Sequence, residues 1–129
     1  MNASVLPLVL IVDDNDRNRK LARDVLRLAG FRTLEAVSAA EAIELASALQ
    51  PDVILMDLRL PDLDGTEAAR TLRSDPRTSR IPVVALSALP LDDSEDWLLD
   101  AGFAGYVAKP IDTDEFPDLV RRFCAGGPG

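Results

Sequence analysis

Four apolar runs of the chain each end in polar side chains that could bind a cation or take part in a reaction. The residues at these ends are Asp13 and Asp14, Asp57, Ser87 and Lys109. Three carboxylates brought together repel one another and become stable when a hard cation neutralises them. Magnesium suits such a site, because it prefers oxygen ligands and binds one or two carboxylates with waters and phosphate oxygens. If the four run ends converge, the residue types predict a Mg²⁺ site.

The same residue types also fit phosphoryl transfer to a carboxylate. A carboxylate can act as a nucleophile and form an acyl phosphate. The ammonium of Lys109 and a metal ion would offset charge on the transferring group. The Ser87 hydroxyl could donate a hydrogen bond to a phosphoryl oxygen.

The elements needed to bring these residues together can be read from the hydrophobic pattern. Short apolar runs alternate five times with segments of helical period, which predicts an α/β fold with a parallel sheet covered on both faces. The expected strands are Leu8–Val12, Arg32–Ala36, Val53–Met56, Ile81–Leu86 and Gly105–Ala108. Parallel strands end at one edge of a sheet, where open α/β sheets bind their ligands. The four polar ends are therefore expected to meet there.

Helix signals separate these strands. Gly30 is expected to stop the first helix, Ser38 with Glu41 forms a capping-box pattern for the second, and Asp64 precedes the third. A fourth helix is predicted over Leu91–Asp100 and a terminal helix over Asp112–Cys124. Pro117 lies early in that last segment, so we expect a late start, a kink or a shortened helix there.

Composition limits the possible functions. The chain has 129 residues and a formal net charge of −8 at pH 7, which disfavours direct contact with nucleic acid or an anionic membrane. It has no histidine, which removes Ser–His–Asp catalysis and means that the chain carries no phosphohistidine itself. Its one cysteine, Cys124, fits a reducing cytoplasm. The first 12 residues show neither a signal-peptide nor a membrane-span pattern.

Several motifs resemble one family. In order and spacing, the chain is similar to the receiver domains of two-component response regulators from about Leu8 to Phe123. The matching pieces are Val12-Asp13-Asp14-Asn15, Leu55 to Pro61 around Asp57, Asp64-Gly65, Leu86-Ser87-Ala88, Ala101-Gly102-Phe103, Gly105-Tyr106 and Lys109-Pro110. The resemblance implies a flavodoxin-like (βα)5 three-layer sandwich with strand order 2-1-3-4-5. It also implies a receiver domain over residues 1–124, with 125–129 as a flexible tail.

The resemblance assigns roles by position. Asp57 is expected to be the phosphoacceptor, with Asp14 binding Mg²⁺ directly, Asp13 through water, and the backbone carbonyl of Arg59 as a further ligand. Lys109, Ser87 and the Ala88 backbone are expected to contact the phosphoryl group. Ser87 and Tyr106 are expected to form the switch pair, and the Lys109–Pro110 peptide bond is expected to be cis.

The expected activity is that of a signalling switch and not of an enzyme, apart from promoting its own phosphorylation and slow dephosphorylation. A histidine kinase or a histidine phosphotransfer protein would donate the phosphoryl group, and a downstream protein would receive the signal. A weak homodimer is possible, although Pro117 argues against a standard dimer through the terminal helix.

Three alternatives remain at this stage. The chain could be a receiver cut from a larger regulator or hybrid histidine kinase. It could be a phosphohydrolase with an aspartyl nucleophile, although Arg59 stands where such enzymes usually carry a second Asp. It could also be a binding module that never needs phosphate, which the acidic pair, Asp57 and Lys109 disfavour.

Overall fold

One parallel sheet forms the centre of the protein. The computed structural model describes residues 6–62, 64–87, 100–109 and 111–125. The strands are β1 (Leu8–Val12), β2 (Arg32–Ala36), β3 (Val53–Asp57), β4 (Val83–Ser87) and β5 (Gly105–Ala108), and all neighbouring pairs are parallel. Their order is β2-β1-β3-β4-β5. The predicted flavodoxin-like α/β architecture is confirmed.

Strand β4 begins two residues later than the apolar run predicts. Pro82 has no N–H to donate to a strand ladder, and its carbonyl accepts a hydrogen bond from the Ile54 N–H at 2.9 Å. The Ile81 N–H instead closes the preceding turn on the Thr78 carbonyl at 3.0 Å. All residues of β3 and β4 are buried, as expected for inner strands of a doubly covered sheet.

Helices cover the two faces of this sheet. They are α1 (Asp16–Leu28), α2 (Ala39–Leu49), α3 (Gly65–Ser74) and a terminal helix, Phe116–Ala125. Buried residues of α2 and α3 share one apolar cluster with one face of the sheet, whereas α1 and the terminal helix share the other. The predicted helix over Leu91–Asp100 lies outside the described residues except for Asp100, which is helical.

The start of α2 is held by three carboxylate or hydroxyl groups. Ser38 is the N-cap, and its hydroxyl accepts from the Glu41 N–H at 3.2 Å. The Glu41 carboxylate accepts from the Val37 N–H at 2.8 Å. Asp62, from the loop after β3, accepts from the first two N–H groups of α2 at 2.9 and 3.0 Å. The predicted N-cap at Ser38 is confirmed, but the Glu41 carboxylate binds the Val37 N–H and not the Ser38 N–H that a capping box would use. The contribution of Asp62 ties the β3–α3 loop to α2.

The terminal helix begins at Phe116, four residues later than the predicted start at Asp112. The Asp112 side chain accepts from the Asp114 N–H at 2.9 Å and forms a turn before the helix. Pro117 then occupies the first helical turn, where its missing N–H has no intrahelical acceptor to lose. The late start expected from Pro117 is therefore confirmed, and the expected start at Asp112 is wrong.

Gly65 allows α3 to approach the end of β3 closely. A Cβ added at this position would lie 2.6 Å from the Asp57 carbonyl oxygen and 2.8 Å from the Leu58 Cα. The Gly65 N–H donates to the Leu58 carbonyl at 3.0 Å. Glycine at position 65 thus lets the loop after Asp57 turn back tightly against the first turn of α3.

Candidate functional site

A cleft of about 340 Å³ lies at the carboxyl edge of the sheet. It is lined by Asp14, Asn15, Asn18, Asp57, Leu58, Arg59, Leu86, Ser87 and Lys109. Strands β1, β3, β4 and β5 are consecutive neighbours in the sheet, so the polar residues at their ends become adjacent. The structure therefore brings together the residues that the strand ends predict.

Asp13 is the buried member of the acidic pair. Its side chain is 0% exposed. One carboxylate oxygen accepts from the Asn15 N–H at 2.9 Å, and the other accepts from the Lys109 ammonium at 2.9 Å. Asp13 does not line the cleft, whereas Asp14 is exposed and does. The two neighbouring carboxylates thus have different access to anything bound in the cleft.

Asp57 reaches the cleft from the end of β3 and is largely buried, with a side chain that is 13% exposed. One carboxylate oxygen accepts from the Arg59 N–H at 3.0 Å, and the other accepts from Lys109 Nζ at 3.2 Å. Burial raises the pKa of Asp57 above its ordinary value, and the nearby Asp13 charge adds to the effect. The Arg59 N–H and Lys109 act in the opposite direction without outweighing burial.

Lys109 connects the two carboxylates and is itself largely buried. Burial alone would lower its pKa, but hydrogen bonds and charge interactions with Asp13 and Asp57 outweigh burial and raise it. The lysine is therefore an ammonium at neutral pH. Its contact with Asp13 is the shorter one and involves the fully buried carboxylate. Asp13 therefore contributes most to stabilising the charge of Lys109. The weaker contact with Asp57 does not fully offset the burial of the Asp57 carboxylate, so the pKa of Asp57 stays raised.

The three carboxylates have the donor chemistry and spacing of a Mg²⁺ site. One oxygen from each of Asp13, Asp14 and Asp57 lies within 4.8 Å of the others. Opposite ligands of a six-coordinate Mg²⁺ are about 4.2 Å apart, a separation of the same size as this cluster. Three carboxylates face one ammonium, which leaves negative charge for a cation to neutralise.

The remaining predicted residues lie around this centre. Ser87 is buried at the end of β4, and its carbonyl accepts from the Lys109 N–H at 2.8 Å. Arg59 lines the cleft and has an exposed side chain. Tyr106 is half-buried against the apolar cluster on the α2 and α3 side. The expected backbone contact of Ala88 and the cis peptide bond before Pro110 lie outside the described residues.

Asn18 and Arg19 are near the site but were not predicted as site residues. Asn18 lines the cleft from the first turn of α1, and its N–H donates to the side chain of Asn15, the N-cap, at 3.1 Å. Asn15 directly follows Asp14 and is a favoured N-cap type, which is the signal that could have placed Asn18 beside the acidic pair. Arg19 donates to the Asp13 carbonyl oxygen at 2.9 Å. No pattern in the sequence distinguishes it from the neighbouring basic residues of α1.

The molecule is thus an open α/β domain with an acidic, cation-compatible cleft at the carboxyl edge of its sheet, where such folds bind ligands. Residues 9–121 match the model of the response regulator receiver domain. The chain therefore belongs to the response regulator receiver domain family.

Relatives and solved structures agree with this membership. The chain is 36% identical to the polar-differentiation response regulator DivK of Brucella ovis, over 89% of this chain and 94% of that protein. It is 33% identical to the receiver domain of the Pseudomonas aeruginosa sensor histidine kinase PA1611, with a TM-score of 0.84 and coverage of 94% and 99%. That structure has a magnesium ion coordinated in its active-site cleft.

The solved structure of a putative response regulator from Chloroflexus aurantiacus gives a TM-score of 0.88 at 30% identity. The match covers 94% of this chain and 99% of that one. These matches favour a receiver over the alternative of an aspartyl phosphohydrolase.

In the described ranges, no helix has the length and apolar character needed to cross a membrane.

Proposed function

We propose that Asp57 accepts a phosphoryl group from a phosphohistidine donor in the presence of Mg²⁺, and that the phosphorylated chain signals by binding another protein. The observation that carries this proposal is the difference among the three carboxylates. Asp13 is buried and has hydrogen-bond partners at both oxygens, and Asp14 is exposed. Asp57 lines the cleft, is held by the Arg59 N–H and Lys109, and has a raised pKa.

The chemistry is a displacement at phosphorus. An Asp57 carboxylate oxygen attacks, a P–O bond forms, and the P–N bond to the donor imidazole breaks. The imidazole leaves with the bonding electron pair and takes up a proton. Burial of Asp57 disfavours its charged form and makes the carboxylate more basic, which suits it to attack. Lys109 lies within hydrogen-bond distance of the same carboxylate and would offset charge on the transferring group.

The proposed metal ligands follow the exposure of the acidic side chains. Asp14 and Asp57 line the cleft and would bind Mg²⁺ directly, with the Arg59 backbone carbonyl as a further ligand. Asp13 would act through water, which agrees with its burial behind Lys109. When bound, the metal supplies Lewis-acid neutralisation of the phosphoryl oxygens.

The signal is proposed to pass through Ser87 and Tyr106. Ser87 lines the same cleft as Asp57, so its hydroxyl would be near a phosphoryl group carried by Asp57. Tyr106 belongs to β5, in register with Ala85 of the strand that carries Ser87. A move of the hydroxyl toward the phosphoryl group would vacate space for the ring to turn inward. Phosphorylation would thereby shift the population between two states of this edge of the domain.

The expected donor is a histidine kinase or a histidine phosphotransfer protein, because the chain has no histidine. We propose a cytoplasmic location and a protein as the output partner. A second context, that of the solved receiver of a sensor histidine kinase, would not change this chemistry. In that context the same Asp57 chemistry would operate within a larger regulator or hybrid kinase.

Phosphorylation by a small-molecule donor tests the proposal. We expect incubation with acetyl phosphate and Mg²⁺ to add about 80 Da, the mass of one phosphoryl group. Omitting Mg²⁺ or changing Asp57→Asn should prevent the addition, whereas Asp52→Asn serves as a control on an exposed carboxylate at the opposite end of β3. Equal modification of wild type and Asp57→Asn would refute the proposal.

A further inference from the structure

We infer that Arg19 is a positioning residue for the acidic pair, fixing the Asp13–Asp14 peptide so that the two carboxylates take their different places. The inference rests on the proposed function of the cleft. The observation that supports it is the set of hydrogen bonds made by the Arg19 guanidinium group. Arg19 Nη1 donates to the Asp13 carbonyl oxygen at 2.9 Å, Nε donates to Glu35 at 3.2 Å, and Nη2 pairs with Asp16.

This arrangement differs from an ordinary surface ion pair. The side chain of Arg19 is only 14% exposed, whereas that of Arg77, which pairs with Asp75, is 71% exposed. Three separate parts of the chain supply its acceptors: the end of β1, the first turn of α1, and β2. A planar guanidinium that satisfies three acceptors has little rotational freedom left. Arg19 therefore acts as a rigid brace for the β1–α1 connection.

The hydrogen bond from Arg19 means that every polar group of Asp13 has a partner. The Asp13 N–H donates to the Ala36 carbonyl at 3.1 Å, across the β1–β2 pair. With Arg19 on its carbonyl, Asp13 has both backbone polar groups fixed, and Lys109 and the Asn15 N–H fix its carboxylate. The carbonyl of Asp13 belongs to the same planar peptide as the N–H of Asp14. Fixing that plane sets the direction in which Asp14 leaves the sheet, toward the cleft.

Arg23 provides a matched comparison within the same helix. It lies one turn further along α1 and also reaches Glu35, at 3.4 Å. Its Nε donates to the adjacent Asp24 at 3.1 Å, and within the described part of the chain it makes no hydrogen bond to Asp13. Removing Arg23 thus removes a charge and a Glu35 contact from α1 while leaving the contact to the acidic pair intact. A difference between the two variants isolates the hydrogen bond to the Asp13 carbonyl.

The test compares Arg19→Met with Arg23→Met in the full chain. Mg²⁺ affinity is measured by calorimetric titration with the metal alone, and amide chemical shifts are recorded without metal. We expect Arg19→Met to weaken Mg²⁺ binding about 10-fold or more, the usual effect of losing a partner that orients a ligand. It should also shift the metal-free amide signals of Asp14 and Asn15. Arg23→Met should leave both readouts near wild type.

Arg19→Lys keeps the positive charge but cannot satisfy three acceptors at once. We expect it to weaken Mg²⁺ binding as well, and it replaces Arg19→Met in the comparison if the methionine variant does not fold. Equal Mg²⁺ affinity in the Arg19 and Arg23 variants, or unchanged Asp14 and Asn15 signals, would overturn the inference. Failure of the proposed function appears separately, because it leaves wild-type protein without Mg²⁺-dependent phosphorylation whatever the Arg19 variants do.

Discussion

Replacing Lys109 by methionine would remove the ammonium that holds two carboxylates together. Methionine keeps much of the volume and the unbranched shape of lysine, so the change is mainly one of charge. The ammonium lies 2.9 Å from the Asp13 carboxylate and 3.2 Å from that of Asp57. Without it, Asp13 stays fully buried and loses the cation that pairs with its carboxylate.

The size of the effect follows from burial. Removing one partner of a buried ion pair costs about 3–5 kcal/mol, because the remaining charge is uncompensated. Lys109 and Asp57 are each 13% exposed at the side chain, which allows some solvent screening. We therefore expect Lys109→Met to lower the free energy of unfolding by about 3 kcal/mol in metal-free buffer. With a urea dependence of about 2 kcal/mol/M, the unfolding midpoint falls by about 1.5 M.

Urea unfolding in EDTA and in Mg²⁺ measures this effect. A ligand that binds the folded state stabilises it. Because Lys109→Met leaves one more uncompensated negative charge beside the cleft, Mg²⁺ should raise its midpoint more than it raises that of wild type. The double variant with Asp57→Asn should recover part of the loss, since one of the two carboxylates is then neutral.

Two results would refute this reasoning. A metal-free midpoint for Lys109→Met close to that of wild type would mean that the ammonium does not compensate the buried carboxylates. An equal Mg²⁺ effect in both proteins would mean that the metal binds away from them. Arg77→Met is the control, because its ion pair with Asp75 is exposed and should contribute less than about 1 kcal/mol.

Three further predictions concern the ends of the elements around the cleft. Because the folded pKa of Asp57 is raised above 3.8, the native carboxyl keeps a proton that the unfolded chain releases, so stability falls as pH rises through this interval. Asp57→Asn should therefore stabilise the metal-free protein at pH 7, but not below the ordinary pKa, in urea titrations. Gly65→Ala should cost about 2 kcal/mol by thermal unfolding and reduce phosphorylation, since its Cβ would meet backbone atoms. Asp62→Ala should cost about 1 kcal/mol in urea unfolding, because two N–H groups of α2 lose their acceptor.

Each of these has an outcome that contradicts it. If the stability gained by Asp57→Asn persists unchanged at the lowest pH, it does not arise from the charge of the carboxyl group. Gly30→Ala is the control for Gly65→Ala, because a Cβ at Gly30 meets open space and only its positive φ of 97° is unfavourable. If the two alanine variants phosphorylate equally slowly, close packing beside Asp57 is not the cause. Ser38→Ala should destabilise α2 like Asp62→Ala, and a much larger effect of either would contradict simple capping.

The sheet was predictable because its signal is redundant along the chain. Leu8–Val12 and the run ending at Asp57 are continuously apolar, and helical segments separate them, which leaves a parallel sheet as the economical arrangement. The start of β4 was placed two residues early because apolar character alone does not reveal which N–H groups enter the ladder. Pro82 has no N–H to enter the ladder, so the strand begins after it. The terminal helix begins later than expected because Asp112 forms a turn with the Asp114 N–H before the helix.

The residue types of the cleft were also predictable, but their exposure was not. Asp13 and Asp14 are identical in type and adjacent, and spacing alone does not say which one is buried. Burial of Asp13 depends on Lys109, which lies 96 residues away, and on Arg19, whose contact is to a backbone oxygen. Such long-range contacts and backbone contacts leave no periodic trace in a single sequence. The same holds for Asp62, which caps a helix that precedes it in the chain.

The most direct test of the central claim is to locate the phosphoryl group among the three carboxylates. After reaction with acetyl phosphate and Mg²⁺, borohydride reduction followed by peptide sequencing in a mass spectrometer identifies the modified residue. We predict reduction at Asp57, with Asp13 and Asp14 unmodified. Modification of Asp13 or Asp14, or a phosphoryl group that still forms in Asp57→Asn, would contradict the assignment of Asp57 as the phosphoacceptor.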